Sequence, residues 1–182
     1  MYSLLVLQLE MSHYRVIDNF ISEEDLVKIE QNVLEQPIFK AYDSTAYSTS
    51  TNVYDVMMNR VFFSALYPYC EYDKEYLQYF HPILDKLPDT GFLQRVSLNL
   101  TFATPNPYIS DYHADNNAQN SFTNIFYLNS NNGGTRFKES GEIVQSKRNR
   151  LVMFPSFRKH AAVNTTDTKL RWVLNINYIA QL

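Results

Sequence analysis

From Phe92 onward the chain is a succession of short runs rich in Val, Ile, Leu, Phe and Tyr, separated by clusters of turn residues. Runs of this kind at such regular intervals read as β-strands. They are expected near 93–103, 109–114, 122–129, 134–138, 141–146, 150–154, 159–164 and 169–179. Gly133, Gly134 and Gly141, three of the four glycines, fall between these runs, where turns call for positive φ. Eight short strands behind a helical preface point to a jelly-roll barrel with helices packed on one outer face.

The preface has its own signals. Tyr14 to Phe20 (YRVIDNF) reads as a short strand. Ser22, followed by Glu23, Glu24 and Asp25, has the form of an N-cap with acidic residues in the first helical turn. Leu26, Ile29 and Val33 recur at helical spacing, Val27 and Leu34 widen the stripe, and Pro37 marks the end. The texture is read as mainly helical from Ser22 to about Leu87. Further helical segments are expected near 55–67 and 73–87, interrupted by Pro68 and Pro82. The fold class is therefore mainly β with N-terminal helices, in one domain over 1–182. About 1–91 forms the support and about 92–182 the jelly-roll core. At 182 residues and 45% hydrophobic, the chain can bury a real core.

The last run, RWVLNINYI, refines this expectation. Strand alternation puts Arg171, Val173, Asn175 and Asn177 on one face, and Trp172, Leu174, Ile176 and Tyr178 on the other. The polar face suits a wet cavity inside the barrel. The apolar face suits burial beneath the N-terminal helices.

Composition excludes several classes of function. A net charge of −3 gives no basic field for nucleic acid. Cys70 is the only cysteine, so one chain can build neither a disulfide framework nor a thiolate zinc site. That agrees with a reducing, cytoplasmic setting. The opening MYSLLVLQLE is too short to span a bilayer and has no basic residues before it. It is read as a short strand, with Met11 as an alternative start.

The chemistry centres on YHADNNAQN, residues 112–120. Residues i and i+2 of a strand project to one side, so His113 and Asp115 can offer a nitrogen and an oxygen to a single point. His160, in FRKHAAV, follows after about four strands, enough for a jelly roll to return it beside the pair. Two histidines and one carboxylate form the facial ligand set of non-haem Fe(II) oxygenases, with three positions left open. Without cysteines the set does not look like a closed structural zinc site. An H-x-D pair alone arises readily by chance. His13 and His81 have no partner at metal spacing and read as ordinary, as does Cys70.

Arg171 adds weight, because it stands on the inward face of the last strand. A buried guanidinium needs an anionic partner, and no acid on this strand supplies one. A dicarboxylate cosubstrate would, although a salt bridge to a distant acid is the blander alternative.

The ordered set of His113-x-Asp115, His160 and Arg171 resembles the Fe(II)/2-oxoglutarate-dependent oxygenases, in particular their prolyl-4-hydroxylase-like branch. The similarity covers most of the chain. It includes YRVIDNFISEEDL at the entry, TNIFYLNSNNGGTRF after the first metal pair, and NRLVMFPSFRKHAAV before the distal histidine. The resemblance implies a double-stranded β-helix (jelly-roll) core and an iron site of His113, Asp115 and His160. It implies that Arg171 holds the distal carboxylate of 2-oxoglutarate and that Tyr127 assists it, or else is a packed barrel aromatic. Many relatives use lysine in place of this arginine; Lys169 lies nearer the turn, so Arg171 is kept.

The implied activity is a dioxygenase that consumes 2-oxoglutarate and dioxygen and hydroxylates an unactivated C–H bond. A peptidyl proline or another protein side chain is the substrate class suggested. A nucleic-acid demethylase of the same superfamily is an alternative, resting on Lys147, Arg148 and Arg150 in SKRNR, which the acidic balance disfavours. An alternative from a different class is a jelly roll that binds metal or a small acid without turnover. Oligomeric state is not legible.

Overall fold

The protein is described here from a computed structural model that defines residues 14–35, 42–45, 60–67, 77–87 and 90–180, with 42–45, 60–67 and 90 as backbone alone. The readings placed on residues 1–10, Met11, His13, Pro37, Pro68 and Cys70 lie outside these residues. The described chain is mostly β, and every strand pairing is antiparallel.

Chain order begins with strand β1 (Arg15–Asp18) and helix α1 (Glu23–Ile29). The Ser22 hydroxyl accepts from the Asp25 backbone N–H, so the cap expected from the sequence is formed. The helix continues into one wider π-type turn, Glu30–Leu34. Strands β2 (Tyr42–Thr45) and β3 (Arg60–Tyr67) follow, then a 3₁₀ turn (Gln78–Phe80) leading into the short helix α2 (His81–Leu84). The C-terminal half comprises β4 (Thr90–Phe102), β5 (Ser121–Tyr127), β6 (Gly134–Phe137), β7 (Ile143–Gln145), β8 (Arg150–Pro155), β9 (His160–Val163) and β10 (Leu170–Ala180).

Two sheets result. The large one has the order β1-β8-β5-β10-β4-β3-β2, and the small one β7-β6-β9. Strand alternation sorts the large sheet's side chains between two clusters. Val96, Leu98, Phe122, Phe126, Leu151, Met153, Leu174, Ile176 and Tyr178 pack with Leu26, Ile29 and Val33 of the α1 segment and with Phe80 and Ile83. Ile125, Tyr127, Val152, Phe154 and Val173 project the other way and pack with Phe137 and Val144 of the small sheet. The two faces read from RWVLNINYI are thus both present, one under the helices and one between the sheets.

Three expectations are corrected. The stretch 55–67 is not helical where it is described: Arg60–Tyr67 is a strand paired to β4 on one side and β2 on the other. Its RVFFSALY is dense in residues that favour strands, and a short apolar run cannot be assigned by periodicity alone. Residues 109–114 do not form a strand ladder. They run along β9 through isolated bridges, Ile109 with Val163 and His113 with His160. Finally, positive φ occurs at Gly141 (72°) but not at Gly133 or Gly134, and otherwise at Asn19 and Asn149 among the described residues. Gly133 serves close approach instead, since a Cβ there would sit 2.6 Å from the Val163 carbonyl oxygen.

Candidate metal centre

His113, Asp115 and His160 meet between the two sheets. The bridge that aligns them is reciprocal: the His113 N–H donates to the His160 carbonyl at 3.0 Å, and the His160 N–H to the His113 carbonyl at 2.9 Å. Asp115 is held separately, its backbone N–H donating to the Ser156 carbonyl at 3.0 Å. Backbone pairing therefore sets both histidines side by side, and the chain turns immediately after them to bring the carboxylate across.

One donor atom from each residue lies within 4.8 Å of the others, and this is the only such grouping of His, Cys, Asp or Glu among the described residues. Nε2 of His113 is 3.4 Å from Asp115 Oδ1, and Nε2 of His160 is 3.9 Å from the same oxygen. The rings stand 4.5 Å apart between centroids and are tilted by 52°. Nδ1 of each ring faces a backbone carbonyl instead, that of Arg158 at 3.0 Å from His160 and that of Asp111 at 3.4 Å from His113. With Nδ1 donating to a carbonyl, each Nε2, directed toward Asp115, is the nitrogen placed to serve as a metal donor. Phe154 meets the His160 ring edge-on and shields it.

Electrostatics favours the same protonation states. Burial pushes His160 down from its ordinary pKa, against the attraction of Asp115, so its imidazole is neutral. For Asp115 burial works to raise the pKa. Its neighbours His113, His160 and Thr123 outweigh that effect and hold the carboxyl well below the usual range. Two imidazole nitrogens and one ionised oxygen form a donor set suited to a divalent transition metal.

Arg171 lies on the same inner face of β10 and is only 5% exposed. Its Nε donates to the Ser146 hydroxyl and its Nη2 to the Gly134 carbonyl, both at 3.1 Å. Its guanidinium carbon stands 5.5 Å from the centre of the Tyr127 ring. No carboxylate meets it among the described residues, so the salt bridge weighed from sequence is not formed there. Burial lowers its pKa, but a guanidinium stays charged. The Tyr127 phenol is raised by burial and therefore neutral, with its oxygen 2.7 Å from Thr135 Oγ1 and 3.2 Å from the Val144 carbonyl.

Beside Arg171, the cross-strand partners Thr101, Asn99 and Ser97 of β4 line the same face opposite Arg171, Val173 and Asn175. The buried oxygens Ser97 Oγ, Asn99 Oδ1, Thr101 Oγ1 and Asn175 Oδ1 have no hydrogen-bond partner. Unpaired buried polar atoms are costly; beside the guanidinium, the Ser97 and Thr101 hydroxyls can donate to an anionic guest, while the two amide oxygens can only accept.

Sequence reasoning missed four neighbours: Thr123 and Ser156, which surround Asp115, and Ser146 and Gly134, which hold Arg171. Asn177 was placed on the inner face without a role; it donates to Asp115 Oδ2 at 3.0 Å. Thr123 could have been found through its pairing with Asn177 across β5 and β10. Ser156 lies in a loop, where no periodicity marks it.

Comparison with known proteins agrees with this geometry. Residues 104–179 match the family described as the 2OG-Fe(II) oxygenase superfamily. No curated protein matches. Among solved structures, a prolyl hydroxylase from Trichoplax adhaerens, in complex with a hypoxia inducible factor oxygen degradation domain peptide fragment, superposes with a TM-score of 0.67 at 17% identity. The match covers 96% of this chain and 87% of that one. A Pseudomonas putida prolyl-4-hydroxylase gives 0.66 at 12% identity, covering 97% of both chains. A non-heme alpha ketoglutarate dependent epimerase from nogalamycin biosynthesis gives 0.65 at 10%, covering 97% of this chain and 81% of that one. At these identities the structures show a shared fold. The segment that is similar to this family, residues 104–179, contains His113, Asp115, Tyr127, His160 and Arg171.

Proposed function

We propose that this chain is a single-domain, Fe(II)- and 2-oxoglutarate-dependent dioxygenase, built on a double-stranded β-helix with its helices on one outer face, that hydroxylates an unactivated C–H bond. The observation that carries the reading is the convergence of two Nε2 nitrogens and one carboxylate oxygen on one face of the interior that also holds an unneutralised arginine. His113, Asp115 and His160 would hold the iron, and Arg171 the far carboxylate of 2-oxoglutarate. Iron with 2-oxoglutarate bound supplies the oxidising chemistry, drawing on dioxygen.

The chain's own residues orient and shield. The carbonyls of Arg158 and Asp111 fix the tautomer of each imidazole. Ser146 and the Gly134 carbonyl hold the guanidinium in the cavity, with Tyr127 flanking it. A hydrogen bond from a guanidinium to a carboxylate contributes about 1.5–3 kcal/mol, and a fork of two fixes orientation as well. A protein or peptide side chain, a prolyl residue foremost, is the substrate class we favour, because two prolyl hydroxylases share this fold over nearly the whole chain.

The basic residues that motivate the nucleic-acid alternative are engaged by acids. Arg148 is engaged by Glu23 and Glu30, and Lys147 and Arg150 by Asp18. The three basic residues of SKRNR are paired with acids of the N-terminal segment.

Anaerobic titration with Fe(II) and then 2-oxoglutarate tests the proposal. The expected result is a visible charge-transfer band, abolished in His113→Ala and weakened in Arg171→Ala. Iron-loaded, folded protein without a band would refute it. Succinate release on addition of proline-containing peptides then tests the substrate class.

A further inference from the structure

The second oxygen of Asp115 is as tightly specified as the first. Asp115 Oδ2 accepts from the Thr123 hydroxyl at 2.7 Å and from Asn177 Nδ2 at 3.0 Å. The same Asn177 amide nitrogen is 3.0 Å from Thr123 Oγ1, so each of its two hydrogens has a target. Thr123 Oγ1 also lies 3.0 Å from Ser156 Oγ, which in turn accepts from Ser121 Oγ at 3.1 Å.

Counting protons fixes the direction of this file. Each hydroxyl has one hydrogen to give. Thr123 gives its own to the carboxylate, the shortest bond of the set, so Ser156 must donate to Thr123 and Ser121 toward Ser156. Ser121 also lies 3.2 Å from Gln94 Oε1, which shares its proton. Ser121, Thr123 and Ser156 are completely buried, and Ser156 additionally accepts the Asp115 backbone N–H. In such a low-dielectric setting successive hydrogen bonds polarise one another and the file acts as a unit.

Resting on the metal-centre reading above, we propose that Thr123 and Asn177, backed by Ser156, are positioning residues that make Asp115 a one-oxygen ligand. Two donors occupy the two lone pairs of Oδ2, so only Oδ1, which faces the Nε2 atoms of His113 and His160, remains to bind a metal. A carboxylate free to offer both oxygens would close one of the three positions that a chelating cosubstrate and dioxygen require. The clamp keeps all three open.

Co(II) titration of the full chain tests this without turnover, read by affinity and by the d–d absorption spectrum. Thr123→Val keeps the shape of the side chain and removes the donor, while Asn177→Leu does the same on β10. Each is expected to lower Co(II) affinity about 10- to 100-fold, the usual effect of removing a partner of a metal ligand. Each is also expected to change the d–d bands as Asp115 turns its second oxygen inward. Thr123→Ser, which restores the hydroxyl, should return both readouts to wild type, and Ser156→Ala should give a smaller loss. Variants that bind Co(II) as tightly as wild type, or that lose only thermal stability with unchanged bands, would overturn the clamp while leaving the metal centre standing. Wild-type protein that binds no Co(II) would overturn both.

Discussion

At the scale of single residues, Arg171 and Tyr127 lie against each other in the interior yet should differ in consequence. Arg171 is buried without a carboxylate among the described residues, and its hydrogen bonds run only to neutral oxygens. Arg171→Ala is expected to weaken 2-oxoglutarate binding at least 10-fold, since one charged hydrogen bond contributes about 1.5–3 kcal/mol and each 1.4 kcal/mol is tenfold. Tyr127→Phe should weaken it less, because the phenol already has Thr135 and Val144 as partners and the ring beside the guanidinium survives. Displacement of the charge-transfer band against 2-oxoglutarate concentration measures both, and an equal loss in the two variants would contradict the assignment. Arg171 was legible because strand alternation assigns a face to every residue of RWVLNINYI. Its partners were not, because Ser146 and Gly134 come from the β6–β7 region, and no local pattern says which turn will meet which strand.

At the scale of elements, the junction between α1 and the turn before β8 is held by charge. Arg148 bonds Glu23 through Nη1 and Nη2 and Glu30 through Nε and Nη2, at 2.6–3.0 Å. Beneath it, Asn149 donates to the Ile21 carbonyl and accepts the Ile21 N–H, from a backbone with φ of 63°. Arg148→Ala should cost about 1 kcal/mol, because partly exposed pairs are individually weak even when bidentate. Leu26→Ala, at a fully buried position on the same helix, should cost about 2–5 kcal/mol. Urea unfolding ranks the two, and a reversed order would mean that charge rather than packing docks the helix. Helix α1 was legible because cap, acidic first turn and apolar stripe agree. Strand β3 was not, since its partner β4 decides its conformation and lies more than twenty residues away. The segment holding His113 was expected as a strand, but only two isolated bridges tie it to β9, and strand-like composition does not reveal how much pairing a run will find.

At the scale of the molecule, the faces predicted for β10 proved to be the two sides of one large sheet, and this placed the candidate site between the sheets. What closes the large sheet at its β1 edge was invisible in sequence, because Asp18 and its partners are more than a hundred residues apart. Asp18 accepts from Arg150 Nε at 2.6 Å and from Lys147 Nζ at 2.8 Å, joining β1 to β8. The Arg150 and Lys147 hydrogen bonds hold its carboxyl well below the usual range. A carboxyl whose folded pKa lies below its unfolded value, about 3.9, contributes stability in full above that value. The contribution is lost as pH falls toward the folded pKa. Asp18→Asn should therefore be less stable than wild type near pH 7, with the difference shrinking as pH drops below about 4. Lys147→Met and Arg150→Met should show the same convergence, and neither should add much once Asp18 is removed, because the three act as one group. Denaturant midpoints at pH 7 and pH 3 are sufficient. A gap between Asp18→Asn and wild type that persists unchanged at low pH would show that the edge is held by packing and backbone pairing instead of by this charge cluster.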